Sequence, residues 1–371
     1  MSDRKHLIIL GIRGLPACHG GFESFAENLS LYLVGKGWDV TVYCQQDGSG
    51  PITKSLWSGV NLINIPVKAQ GVLGTILFDL KASFHALSHD GIVLTLGYNT
   101  AVFNVVQRIK GQVNIINMDG IEWRRDKWGA VAKTWFWINE RIGCWVGNHL
   151  VADHPQIKNH LATRVRSSKI TMIPYGGAEV CNAEVEPLQT YGLTPGKFSV
   201  IIARPEPENS ILEIVSAFSK RVRGHTLVVL GNFQPESNHF HRAVMKVASD
   251  EVVFPGAIYD SRVVEALRFY CRFYLHGHRV GGTNPSLVEA LGAGCAVIAQ
   301  DNSFNRWVAG ESASYFADES DCAGLFDRLI DDGFDISTMK SGSLQRFHER
   351  FTWPEVLGEY EQLLCQWHPK L

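Results

Sequence analysis

Phe273-Tyr274-Leu275-His276-Gly277-His278-Arg279-Val280-Gly281-Gly282-Thr283-Asn284-Pro285-Ser286-Leu287-Val288-Glu289-Ala290-Leu291-Gly292-Ala293-Gly294-Cys295-Ala296-Val297-Ile298-Ala299 carries the plan of the whole chain. An apolar run, 273–276, breaks into glycines; Asn284 can then cap a helix with Pro285 at its first position. A second apolar run, 296–299, follows. The exposed amides of the first helical turn, helped by Gly281 and Gly282, offer a site for a diphosphate. Glu289, one turn further along, can accept a hydrogen bond from a sugar hydroxyl, or be a plain helix carboxylate.

The same alternation extends in both directions. Before this segment, strands read at 198–203, 226–230 and 252–255; after it, at 314–316. In the first half, strands read at 6–11, 38–44, 60–66, 91–96, 113–118, 149–152 and 169–174, with helical patterns between them. In Gly21–Gly35, Phe22, Phe25, Leu29 and Leu33 recur at helical spacing, and Gly35 and Gly37 supply a stop. Strands apolar on both faces and separated by helices indicate parallel sheets covered on each side. A polar stretch, 176–196, separates the two series. The expectation is two doubly wound Rossmann-like domains facing each other across a cleft. Residues 1–176 form the first, joined by a C-terminal helix, 353–371, and residues 177–352 form the second.

The 371-residue length suits two such cores. Hydrophobic residues at 45% against 19% charged exclude a mostly disordered chain. With 35 basic and 37 acidic residues the formal charge is −2, so no global field attracts nucleic acid, and none is expected as a partner. No apolar run is long enough to span a membrane, and the N-terminal apolar run is too short for a signal-peptide core. The eight cysteines form no C-x-x-C pair, which reads as buried reduced thiols in a cytoplasmic protein.

Ligands bind beyond the carboxyl ends of strands in doubly wound sheets, so the loops decide function. The loop Gly11-Ile12-Arg13-Gly14-Leu15-Pro16-Ala17-Cys18-His19-Gly20-Gly21 leads into a helix, and Gly20 and Gly21 can bring backbone amides close to an anion. It is not G-x-G-x-x-G, and Cys44-Gln45-Gln46 end the second strand before Asp47, which argues against a nicotinamide enzyme. Arg204, just after strand 198–203, stands where a cation could neutralise a leaving diphosphate. No D-x-D flanked by apolar strand residues supplies a metal pair.

Five of the ten tryptophans lie at 123, 128, 135, 137 and 145, among Arg124, Arg125, Lys127, Lys133 and Arg141. Trp123, Arg124, Arg125, Lys127 and Trp128 suit a membrane interface or a lipid diphosphate acceptor. Alternatively the aromatics pack into the first core, which would account for Phe136, Trp137 and Ile138.

The 286–299 segment resembles the nucleotide-binding signature of retaining GT-B glycosyltransferases of family 4. Ala203-Arg204-Pro205-Glu206-Pro207-Glu208-Asn209 is similar to that family's phosphate-binding segment. Ile173-Pro174-Tyr175-Gly176-Gly177 and Phe351-Thr352-Trp353 match its layout. The 11–23 loop, Asn117-Met118-Asp119-Gly120-Ile121-Glu122-Trp123 and Gly281-Gly282-Thr283-Asn284-Pro285 look more narrowly like its bacterial rhamnosyltransferase branch. There are two departures: Gly281 replaces the first of the family's paired glutamates, and Asn209 replaces its lysine. Both are similar to the rhamnosyl branch.

The resemblance implies a metal-independent, cytoplasmic transferase moving L-rhamnose from dTDP-rhamnose to a lipid-linked saccharide precursor of a surface polysaccharide, with peripheral contact at the inner membrane face. No cofactor is implied beyond the sugar-nucleotide donor. Arg204 and the amides at 283–286 would stabilise the departing diphosphate, and the acceptor hydroxyl would attack from the leaving-group side, its proton passing to a phosphate oxygen. Asp119 would position the sugar or assist the acceptor, with Glu122 and His278 as weaker candidates. Thr283, Asn284, Ser286 and Glu289 complete the donor site. The rivals are a family 4 transferase using a UDP-hexose and a non-catalytic sugar-nucleotide-binding subunit.

Overall fold

The computed structural model describes residues 5–17, 20–331 and 334–368. Internal contacts divide the chain into two units, Met1–Gly176 with Trp353–Leu371, and Gly177–Thr352.

The first unit holds eight strands: β1 His6–Leu10, β2 Asp39–Asp47, β3 Thr53–Trp57, β4 Val60–Val67, β5 Ile92–Leu96, β6 Asn114–Asn117, β7 His149–Ala152 and β8 Ile170–Met172. They lie in the order β3-β4-β2-β1-β5-β6-β7-β8. All neighbours run parallel except the β3–β4 pair. One face is covered by helix Gly21–Gly35, through Phe25, Ala26, Leu29 and Leu33, and by helix Trp353–Trp367, through Val356, Leu357, Tyr360, Leu363 and Leu364. The Phe25 and Tyr360 rings are 4.6 Å apart, and Tyr32 Oη donates to Glu361 at 2.9 Å. On the opposite face, helix Gly71–Ala86 packs Phe78, Ala82 and Ala86 against Ile8, Leu10 and Val93. Central strands lose water on both sides, so they read as unbroken apolar runs.

Two features differ from the sequence reading. Strand β2 continues to Asp47, paired with Val67, so the second strand does end on an acid. Strand β3 was not expected, because Thr53–Trp57 is exposed along most of its length and carries no apolar face. Its signal is the Ser58-Gly59 turn, both residues at positive φ (47° and 86°), which closes a tight hairpin with Trp57 opposite Val60.

The second unit holds six strands: β9 Phe198–Ile202, β10 Thr226–Leu230, β11 Val252–Gly256, β12 Tyr274–His276, β13 Val297–Gln300 and β14 Ser314–Phe316. They form an all-parallel sheet ordered β11-β10-β9-β12-β13-β14. Leu267, Leu287, Val288 and Leu291 pack on one face, and Ile211, Ile214, Phe218 and Phe326 on the other. Of the seven described cysteines, Cys181 and Cys365 are exposed and the other five are buried.

Each strand order reverses at one place, between β1 and β5 in the first unit and between β9 and β12 in the second. Connections leave in opposite directions there and open a crevice at the carboxyl ends.

Candidate functional site

In the second unit the loops after β9 and β12 flank the switch point and pack closely. A Cβ on Gly277 would stand 2.0 Å from the Asn209 carbonyl oxygen, so only glycine fits there. The Arg279 amide donates to the Glu208 carbonyl at 3.0 Å, and its guanidinium donates to Ser210 Oγ at 2.9 Å and Glu213 Oε1 at 2.6 Å. Asn209, where the family pattern has lysine, is buried and donates from Nδ2 to the Arg204 carbonyl at 2.7 Å. It braces the loop from within. Arg204 itself is exposed, and its guanidinium has no hydrogen-bond or ion-pair partner among the described residues.

Beyond β12, the imidazole of the buried His276 is held neutral, well below its usual pKa, by burial and then by His278. The half-buried His278 ring stacks on it at 4.6 Å and 10°. The His278 carbonyl accepts from Asn302 Nδ2 at 2.9 Å and Asn305 Nδ2 at 2.8 Å. Gly281 adopts φ 139° and has nothing within 4 Å of where a Cβ would lie; Gly282 follows, half-buried. Thr283 is buried.

Asn284 caps the helix Pro285–Gly292, its side chain accepting from the Ser286 amide at 3.0 Å. This corrects the expected anion cradle. Pro285 has no N–H, and the Ser286 amide is taken by the cap. The Leu287 and Val288 amides donate to the Asn284 carbonyl at 3.1 and 3.2 Å. The helix dipole remains, but amides for an anion must come from the loop before Pro285. The Ser286 hydroxyl also works internally, donating to the Ile202 carbonyl at 3.1 Å and bonded to Tyr274 Oη. Glu289 keeps 39% side-chain exposure, and its Oε2 accepts from Arg268 Nη2. Neither Arg268 nor Tyr274 was legible as a site neighbour, since each reaches its partner only through the folded sheet.

In the first unit the loop after β1 passes so near β5 that a Cβ on Gly11 would lie 2.2 Å from the Leu96 carbonyl oxygen. Cys18 and His19 lie outside the described residues. Gly20, at φ 94°, precedes helix Gly21–Gly35. Two carboxylates of that helix accept loop amides, Glu23 from Arg13 at 3.3 Å and Glu27 from Ala17 at 2.6 Å. Part of the expected anion capacity is thus used by the helix's own acids.

After β6, Asp119 takes a left-handed conformation, φ 51°, with its amide donating to Asn117 Oδ1 at 3.0 Å. Burial, and then the Glu122 carboxylate, push its carboxyl up to about 6. Glu122 is buried; its oxygens accept from Arg125 Nη1 at 2.8 Å and Trp128 Nε1 at 3.1 Å, and its amide donates to Tyr98 Oη at 2.8 Å. Asp119, Glu122, Arg125 and Trp128 therefore form one cluster at the carboxyl end of β6.

The tryptophan segment divides differently from expectation. Trp123 is half-buried and donates to Glu140 at 2.7 Å, so Trp123 and Trp128 are both tied inward. The cations sit on their rings, Arg124 at 5.2 Å and Lys127 at 4.7 Å. Helix Ala130–Val146 instead exposes Val131, Trp135, Trp137, Ile138 and Trp145, which overturns core packing for Trp137 and Ile138. Arg141 stacks on Trp137 at 3.4 Å. Among the described residues, no helix is long and apolar enough to cross a membrane, and no group of three or more His, Cys, Asp or Glu is placed to hold a metal ion.

A family profile described as a domain of unknown function, DUF1972, matches residues 4–178. No curated protein matches by sequence. Among solved structures, the chain is similar to a sucrose-phosphate synthase from Thermosynechococcus elongatus, at 15% identity and TM-score 0.79, covering 98% of this chain and 99% of that one. It is similar to Anabaena HepE in complex with UDP-glucose, at 13% identity and TM-score 0.77, with the same coverage. A third likeness is to a trehalose-6-phosphate protein from E. coli bound with UDP-2-fluoro glucose, at 10% identity and TM-score 0.74, again covering 98% and 99%. At such identities the likeness speaks for architecture, and it spans both Rossmann-like units: the chain has the fold of the GT-B glycosyltransferases.

Proposed function

We propose that this chain is a retaining glycosyltransferase that moves L-rhamnose from dTDP-rhamnose to a lipid-linked saccharide precursor of a bacterial surface polysaccharide. One observation carries the nucleotide-sugar part. At the β9/β12 switch point an exposed guanidinium without a partner among the described residues, Arg204, accompanies a glycine-lined loop, a capped helix start and the part-exposed carboxylate of Glu289. Arg204 and the Gly281–Gly282–Thr283 backbone would stabilise charge developing on the departing diphosphate, with no metal assigned a part. Glu289 would hold a sugar hydroxyl of the nucleotide. In the first unit, Asp119 would serve the acceptor hydroxyl. His278 and Glu122 would shape the loops beside these groups. The incoming hydroxyl attacks from the leaving-group side, and its proton passes to the departing phosphate oxygen.

The rhamnosyl donor is supported by Gly281 and Asn209, which replace the acidic and basic residues of the common hexose pattern. A lipid-linked acceptor is supported by the exposed indoles of helix Ala130–Val146 and by Arg141 stacked on Trp137, a composition suited to peripheral contact with an anionic membrane face. A UDP-hexose donor is the second reading, favoured by the UDP-glucose bound in HepE.

Donor hydrolysis tests both. The native protein should release nucleoside diphosphate from dTDP-rhamnose faster than from UDP-glucose, with Arg204→Ala and Glu289→Ala slow on either. Faster release from UDP-glucose would install the second reading. No release from either, with donor still bound, would identify a binding subunit. Unchanged donor binding in both variants would sink the site.

A further inference from the structure

Arg268 belongs to none of the loops that carry the site. It lies on helix Ser261–Tyr270, and its side chain is 9% exposed, with Tyr274, Glu289 and Cys295 near it. A cation in such a place costs several kcal/mol unless paired. Its Nη2 is bonded to Glu289 Oε2, while its Nε is buried with no hydrogen-bond partner. Glu289 is thus the counter-charge that makes the buried arginine tolerable.

Arg268 is itself anchored. Its carbonyl accepts from two buried thiols, Cys271 Sγ and Cys295 Sγ, each at 3.1 Å. The anchoring reaches only one carboxylate oxygen: Glu289 Oε1 has no partner among the described residues, and the side chain remains partly exposed. A free glutamate side chain loses up to about 2 kcal/mol of rotamer freedom when fixed. Here that loss is incurred on folding, before any ligand arrives.

We propose that Arg268 is a positioning residue, which clamps one oxygen of Glu289 so that the other is set to accept the 3′-hydroxyl of a nucleoside diphosphate. This rests on the donor-site role given to Glu289 above. It assigns Arg268 no contact with the ligand. Its effect is therefore confined to whatever Glu289 recognises.

Calorimetric titration with dTDP and 2′,3′-dideoxythymidine diphosphate, and in parallel with UDP and 3′-deoxyuridine diphosphate, isolates that hydroxyl. The native protein should prefer the hydroxylated member of the pair it binds by roughly tenfold or more, the worth of a hydrogen bond to a charged acceptor. Glu289→Ala should abolish the preference. Arg268→Met should reduce it to about threefold or less, and Arg268→Lys should fall between. A general loss of structure would weaken both nucleotides together and leave their ratio unmoved.

No preference in the native protein would defeat the Glu289 assignment, and this inference with it. A native preference lost in Glu289→Ala but kept in folded Arg268→Met would overturn the role of Arg268 alone. Should Arg268→Met fail to fold, Arg268→Lys decides: its ammonium is a point charge without the fork of donors. A full native preference in that variant overturns the proposal.

Discussion

Replacing Asp119 by asparagine should stabilise the protein, by an amount that depends on pH. The folded carboxyl titrates at about 6, against roughly 3.9 in an unfolded chain. Folding therefore takes up a proton between those values. The contribution of the neutral carboxyl is full below pH ~4, declines through the window, and is lost above pH ~6.5. The gap corresponds to about 3 kcal/mol at pH 8, an upper figure for a residue that water still reaches. Asparagine removes the charge, tolerates the left-handed φ of 51° at least as well, and keeps an oxygen for the Gly120 amide. Urea unfolding followed by tryptophan fluorescence reads the relevant unit, because Trp307 alone of the ten tryptophans lies outside it. Asp119→Asn should match the native protein at pH 4 and exceed it by about 2–3 kcal/mol at pH 8. A difference that does not vary with pH, or a variant weaker at pH 8, would show that Asp119 ionises freely in the fold.

Gly277→Ala should cost about 1–3 kcal/mol and reduce nucleoside diphosphate affinity at least tenfold by calorimetry. Its new methyl would meet the Asn209 carbonyl, at 2.0 Å, and force apart the two loops at the switch point; native affinity would mean that those loops do not hold the nucleotide. Co-sedimentation with anionic vesicles should drop severalfold in Trp135→Ser/Trp145→Ser and stay unchanged in Arg125→Gln, whose side chain is committed to Glu122. Equal sedimentation of the double variant would remove the membrane-facing role of helix Ala130–Val146.

Thirteen of the fourteen strands were legible because each is a short apolar, mostly β-branched or aromatic run in a largely parallel sheet, where such a run admits few alternatives. Strand β3 escaped because it is an exposed hairpin strand with no apolar face; only its Ser58-Gly59 turn gives it away. At the site, glycines and caps were readable because backbone geometry demands them locally, as at Gly281 and Asn284. The partners were not. Arg268 meets Glu289 across 21 positions of sequence, and nothing in the spacing of either residue marks the ion pair. The tryptophans misled for a related reason: composition showed an aromatic, basic stretch, but only the fold separates Trp123, in the turn before helix Ala130–Val146 and tied to Glu140, from Trp145, on that helix and turned to solvent.

The return of helix Trp353–Trp367 to the first unit has a consequence for biosynthesis. Its Val356, Tyr360 and Leu364 complete a core begun at Leu7 and Ile9, so this core joins segments that lie far apart along the chain. The second unit, Gly177–Thr352, is contiguous. Domains tend to fold as units while the chain emerges from the ribosome, at about 5–20 residues per second. The later-made unit can therefore finish first. The earlier one must wait some 10–35 seconds, with the surface that this helix covers beside Phe25, Asn117 and His149 left exposed to whatever else in the cell binds apolar surface.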